Sequence, residues 1–117
     1  MMNRIDLVNR IENKSIKRGQ IHVFYLGQSG YVLCTKESVI YIDPYLSDYV
    51  ENPDGLNESL MKRNFPPPIE PSSIKKIDAI LCTHAHADHM DPWTIEKIDQ
   101  SFQFVSTENA YRSSVVE

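Results

Sequence analysis

Three histidines and an aspartate fall within six residues, His84-Ala85-His86-Ala87-Asp88-His89, and nothing else in the chain restricts its fold as narrowly. They follow directly on an apolar run at residues 78–82, Asp-Ala-Ile-Leu-Cys, which reads as a short buried strand. In extended backbone, side chains two residues apart share a face, so His84, His86 and Asp88 project together at the strand's end. His89 is then expected to point elsewhere. Two neighbouring sites follow from this geometry, one holding His84 and His86 and the other Asp88 and His89. Imidazole nitrogen and carboxylate oxygen suit zinc, manganese or iron, and the alanine spacers leave the approach clear. The competing explanation is a solvated turn that is merely rich in histidine. The spacing, the aspartate and the position after an apolar strand weigh against it.

The surrounding pattern predicts an α/β arrangement. Residues 3–18 place Ile5, Val8 and Ile11 three apart among polar residues, which predicts an amphipathic helix stopped by Gly19. Residues 21–26 and 31–35 are rich in β-branched and aromatic side chains and flank the turn Gly27-Gln28-Ser29-Gly30, whose glycines supply positive φ. A third strand at residues 39–42 ends at Asp43-Pro44, completing an antiparallel meander. Residues 45–71 are irregular, with a turn at 52–55, a short helix expected at 56–63 and an extended Pro66-Pro67-Pro68. A stretch this long reads as a loop over a site. A helical turn follows at 71–74. After the histidines, Asp91 and Pro92 are the N-cap and first turn of a helix at 92–100, then a strand at 102–105 and a terminal helix at 108–116.

Several function classes are excluded by composition. A chain of 117 residues is one domain at most, and 41% hydrophobic content suffices for a core. A net charge of −4 and the lack of a basic stripe argue against a nucleic-acid partner. The longest stretch free of Asp, Glu, Lys and Arg, residues 21–35, includes His22, Gln28 and Ser29 and falls short of the roughly 20 apolar residues a spanning helix needs, so no membrane is expected. Asp6 and Glu12 break any export signal, which leaves a cytoplasmic location as the expectation. Cys34 and Cys82, each inside an apolar run, fit buried free thiols.

His-x-His-x-Asp-His is the signature of the metallo-β-lactamase superfamily, which this chain resembles. The segments Tyr25-Leu26-Gly27-Gln28-Ser29-Gly30, Tyr41-Ile42-Asp43-Pro44 and Ile74-Lys75-Lys76-Ile77-Asp78-Ala79-Ile80-Leu81 are similar to the L-ascorbate-6-phosphate lactonase group within it. The resemblance implies an αββα sandwich with metals at one edge, between the sheets. It implies hydrolysis of a lactone, ester or phosphoester of a small, sugar-phosphate-like metabolite by metal-activated water. His84 and His86 match ligands of a first metal, Asp88 and His89 those of a second, with zinc or manganese present as one or two ions per complete site. Asp88 also matches the group that orients the attacking water. Asp43 matches an acidic residue that hydrogen-bonds around the site, although an ordinary Asp-Pro turn explains it equally well. A thioesterase or phosphodiesterase on the same fold is the nearest alternative.

The family's third histidine for the first metal, and a further Asp and His for the second, lie downstream of the signature. Here the remaining histidine, His22, lies upstream. Residues 1–117 therefore resemble the N-terminal portion of such a domain, with the second half absent. An apolar sheet face is expected to lie open, favouring an oligomer or a missing C-terminal half as its cover. A non-catalytic, metal-binding half-domain is the third alternative. Cys82, two residues before His84, reads as a buried strand cysteine before it reads as a thiolate ligand. Tyr45, Tyr49 and Trp93 sit near segments that line the site, Trp93 as helix packing, and Lys62-Arg63 reads as solvated surface.

Overall fold

The computed structural model describes residues 4–110 and 112. The alternating residues 22–42 form the expected antiparallel meander, β1 (His22–Gly27), β2 (Gly30–Cys34) and β3 (Val39–Ile42). The β1–β2 connection requires left-handed backbone at Gly27 (φ 91°) and Gln28 (φ 52°), not at Gly30. At Gly30 a Cβ would come within 3.1 Å of the Asp43 carbonyl oxygen, so this glycine serves close packing. The chain returns as β4 (Ala79–Cys82), parallel to β3, and, after α2 (Pro92–Lys97), as β5 (Gln103–Ser106), parallel to β4. Sheet order follows chain order, β1-β2-β3-β4-β5. The β4–α2–β5 unit is the crossover that adjacent parallel strands require.

One face of the sheet carries the core. Leu26, Val32, Cys34, Tyr41, Ile80 and Cys82 pack against Val8 and Ile11 of α1 (Arg4–Asn13) and against Ile69, Ile74, Ile77 and Ile98. The opposite face carries two cross-strand rows, Val23-Leu33-Ile40-Ala79-Gln103 and Tyr25-Tyr31-Ile42-Leu81-Val105. Val23 and Tyr25 are 58% and 59% exposed. A five-stranded mixed sheet with helices on one face is consistent with the N-terminal half of an αββα sandwich. No helix among the described residues is long and apolar enough to cross a membrane.

Several element boundaries differ from those the sequence predicts. Helix α1 ends at Asn13, because Lys14 and Ser15 offer no apolar face and Ile16 turns onto the core. Gly19 lies further on, in a turn where Gln20 N donates to Lys17 O. Residues 56–63 form no helix. Asn57 is left-handed (φ 61°), and the Glu58 N–H crosses to Val50 O at 2.7 Å instead of closing a helical turn. Helix α2 stops at Lys97 because Ile98 is extended and buried. The last strand is shifted by one residue, with Phe102 packed on the core. Of the terminal helix, residues 108–110 and 112 are helical and the other predicted positions lie outside the described residues.

Candidate metal centre

The segment after β4 does not stay extended. The N–H groups of His89 and Met90 both donate to His86 O at 2.8 Å, closing a turn. That turn corrects the expectation that His89 points away. Its ring lies 3.9 Å from the His84 ring, centroid to centroid, while His86 lies 4.6 Å from His84 on an edge-to-face approach. The three imidazoles thus form one cluster with His84 at its centre. β backbone ends at Cys82, so the period-two alternation that would turn His89 away does not extend past it. Cys82 itself faces the core, and burial pushes its thiol up to about 12.

Beneath the cluster sits Asp43. It follows β3 in left-handed backbone (φ 47°), a conformation Asp tolerates better than most side chains, and its N–H donates to Leu81 O at 2.8 Å. The pairing of β3 with β4 therefore sets its position. Its buried carboxylate accepts from Thr83 N at 2.8 Å and Thr83 Oγ1 at 2.7 Å, and pairs with His89 Nδ1 at 3.0 Å.

These contacts fix two tautomers. A carboxylate only accepts, so His89 carries its proton on Nδ1. The Thr83 hydroxyl has one proton and gives it to Asp43, so toward His84 Nδ1, 2.9 Å away, it can only accept. His84 is thereby also protonated on Nδ1. In their neutral forms both rings then present Nε2 lone pairs, the arrangement that outer hydrogen bonds impose on metal-binding histidines. Thr83 carries no motif position in the sequence and takes its role from these bonds. Its only signal is a hydroxyl placed between the strand and His84.

Asp88 completes the edge. Its Oδ1 lies 3.7 Å from His89 Nε2, past hydrogen-bond reach, so with the ring neutral a nitrogen lone pair and a carboxylate face each other. A cation would stabilise that pair, and the nitrogen and oxygen donors suit a divalent metal. Among the described residues, no group of three or more His, Cys, Asp or Glu is already arranged to hold a metal ion.

A buried network holds the adjoining loop. Asp91 caps α2 by accepting from Trp93 N, as its sequence position predicts, and takes the hydroxyls of Ser47 and Thr94. Thr94 Oγ1 accepts in turn from Leu46 N at 2.8 Å. Burial nonetheless pushes the Asp91 carboxyl up. Arg63 is not the solvated cation the sequence suggests. Its guanidinium donates to the carbonyls of Tyr45, Ser47 and Phe65 and lies over the Tyr45 ring. Trp93 packs edge-on against Tyr49.

A family model described as a beta-lactamase superfamily domain matches residues 38–113. The chain is also similar to a UPF0173 metal-dependent hydrolase of Cupriavidus necator, 33% identical over 73 residues that make up 62% of this chain and 21% of that protein. The matched segment spans about a fifth of that relative's length.

Proposed function

The chain belongs to the beta-lactamase superfamily, and from that membership and the geometry of residues 83–89 we propose that it supplies the metal-binding edge of a metal-dependent hydrolase. The observation that carries this reading is the pair His84 and His89, with both Nδ1 atoms anchored and His89 Nε2 lying beside Asp88. In this reading His84 and His86 bind one divalent ion and Asp88 and His89 a second, with zinc or manganese suited to the donor set. The metal supplies Lewis-acid activation of water and of the substrate's scissile carbonyl or phosphoryl group. Asp88 orients the attacking water, and Asp43 with Thr83 holds the rings in register.

The substrate class in this reading is a small lactone, ester or phosphoester, with a thioester or phosphodiester as the alternative on the same edge. A net charge of −4 supports a small molecule over a nucleic acid. Two buried free cysteines support a reducing, cytoplasmic setting. Residues 1–117 then form the N-terminal portion of the domain, and the ligands that complete coordination come from further polypeptide or a second chain. The open apolar sheet face supports that arrangement.

A second reading, a non-catalytic half-domain that binds metal weakly, is favoured by the lack of three convergent donors among the described residues. Native mass spectrometry with added zinc or manganese, combined with a panel of lactone, thioester and phosphoester substrates, separates the two. Metal in a fixed ratio to chain, lost in His86→Ala and accompanied by turnover, supports the hydrolase. Weak metal loading without turnover supports the half-domain. No metal uptake through His84 and His86 in any assembly overturns both.

A further inference from the structure

A cavity of about 390 Å³ opens directly beside His86 and Asp88, between that edge and the loop after β3. Its side walls are apolar, formed by Val50, Leu56, Met61 and Ala87. Leu56 and Met61 are 48% and 61% exposed, apolar side chains held in water at the cavity's rim. Two carboxylates, Glu58 and Asp88, complete the lining with Gln28 and Tyr45, and among the described residues no Lys or Arg does. Arg63 lines a separate cavity of about 210 Å³, and its guanidinium is engaged by three carbonyls.

The walls are built rather than draped. Val50 N donates to Tyr45 Oη, Leu56 N to Tyr49 O and Glu58 N to Val50 O, which ties both sides of the loop together. Gly55 lies so close to Tyr49 that a Cβ there would meet its carbonyl oxygen at 2.3 Å. A pre-formed apolar concavity with a few polar groups at one end is the ordinary form of a small-molecule site.

From this geometry we infer that the cavity is a substrate-recognition pocket, and that it takes an uncharged apolar arm, an alkyl or acyl chain of several carbons, next to the scissile group. The inference rests on residues 84–89 being the catalytic edge and deepens that reading. It separates two substrate classes that share the chemistry. A phosphate or carboxylate carried on the arm would face Glu58 with no Lys or Arg in the described lining, the metal at His86 and Asp88 being taken by the scissile group, and would leave behind its hydration. A neutral chain covers Leu56 and Met61 and loses nothing.

The test is an NMR titration of the ¹⁵N-labelled chain without metal, using hexanamide, hexanoate and inorganic phosphate as probes. Hexanamide should shift the amide signals of Leu56, Met61 and Ala87 saturably. Hexanoate should bind at least fivefold more weakly, and Glu58→Gln should narrow that gap. Met61→Glu, at an exposed position that leaves the core intact, should weaken hexanamide at least fivefold. Phosphate binding at these residues more tightly than hexanamide, or unchanged hexanamide affinity in Met61→Glu, overturns the inference. Metal uptake is measured separately on the same protein. Hexanamide binding without metal uptake supports the pocket while the metal reading fails. Metal uptake without hexanamide binding overturns the pocket alone.

Discussion

Replacing Asp43 by asparagine keeps the side chain's shape and reverses part of its hydrogen-bonding sense. The amide oxygen can stay on Thr83 N, where Oδ1 now accepts at 2.8 Å. The NH₂ group then occupies the place of Oδ2, which contacts both Thr83 Oγ1 and His89 Nδ1. Its two protons point at both partners. His89 must give up its Nδ1 proton to accept one of them, and the Thr83 hydroxyl, now an acceptor from position 43, is free to donate to His84 Nδ1. Both rings move their proton to Nε2, removing the lone pair that His89 turns toward Asp88 and the one on His84. Asparagine tolerates the left-handed backbone at this position as aspartate does, so the main chain is not a confounding factor. Losing such outer hydrogen bonds lowers metal affinity by about 10- to 100-fold, which is about 1.4–2.8 kcal/mol. Bonds to a charged group contribute about 1.5–3 kcal/mol and neutral ones about 0.5–1.5. Each weakened bond therefore loses about 1–1.5 kcal/mol, and the three cost about 4.5 kcal/mol of stability as an upper bound, since members of one network are not additive. The assay is long-range ¹H–¹⁵N correlation of the histidine rings in metal-free protein at mildly alkaline pH. Wild type should show Nδ1-protonated His84 and His89, Asp43→Asn should show both inverted, and Thr83→Val should disturb His84 while sparing His89. An Nδ1 proton retained on both rings in Asp43→Asn would refute the hydrogen-bond logic.

Other expectations concern the core and the loop. Tyr41 is fully buried with no partner for its hydroxyl among the described residues, and burial pushes its phenol strongly up, so Tyr41→Phe should raise stability by about 1 kcal/mol, read as a higher urea midpoint at unchanged slope. Cys34 and Cys82 are buried with raised thiol pKa values, so native protein should resist a disulfide reagent at neutral pH and release two thiols in denaturant. Because the Cys82 thiol sits at about 12 in the fold, the unfolded chain ionises first, and stability should fall as pH climbs from the usual thiol range toward 12. Thr94→Val strands the Leu46 amide and removes a donor from Asp91, so it should lower stability by about 2–4 kcal/mol in chemical denaturation. Burial raises the Asp91 carboxyl, so its contribution to stability should weaken as pH rises from the usual carboxylate range through that raised value. Stability measured against pH in wild type and Asp91→Asn checks this.

The meander, β4 and the cap on α2 were legible because each depends on local pattern: alternation for the strands, an Asp-Pro pair for the helix start. The loop after β3 was not, because its shape is set by bonds between distant residues. Arg63 reaches back to the Tyr45 carbonyl, and Leu46 is held by Thr94 from α2. A run such as 56–63 has acceptable helix formers but no partner for an apolar face, and tertiary bonds decide it. The histidine cluster was legible as composition and misjudged as geometry. Two bonds to the His86 carbonyl bend the backbone, and no periodicity argument contains that bend. Asp43 stood out beside its proline, whereas Thr83 became meaningful only once its single hydroxyl proton could be traced to Asp43.

The exposed apolar side chains on the open face of the sheet have a thermal consequence. Contacts made through Val23, Tyr25, Tyr31 and Val105 draw their free energy chiefly from released water, an entropic source near room temperature that fades on cooling. Whatever seats on that face should hold more firmly at 25 °C than in the cold room, tighten in sulfate and slacken in dilute urea. Where the cover is a second copy, one preparation run through a sizing column at two temperatures should then give two elution profiles, the warmer one heavier. Chilling, the usual way to protect a protein, would be the condition that bares this surface.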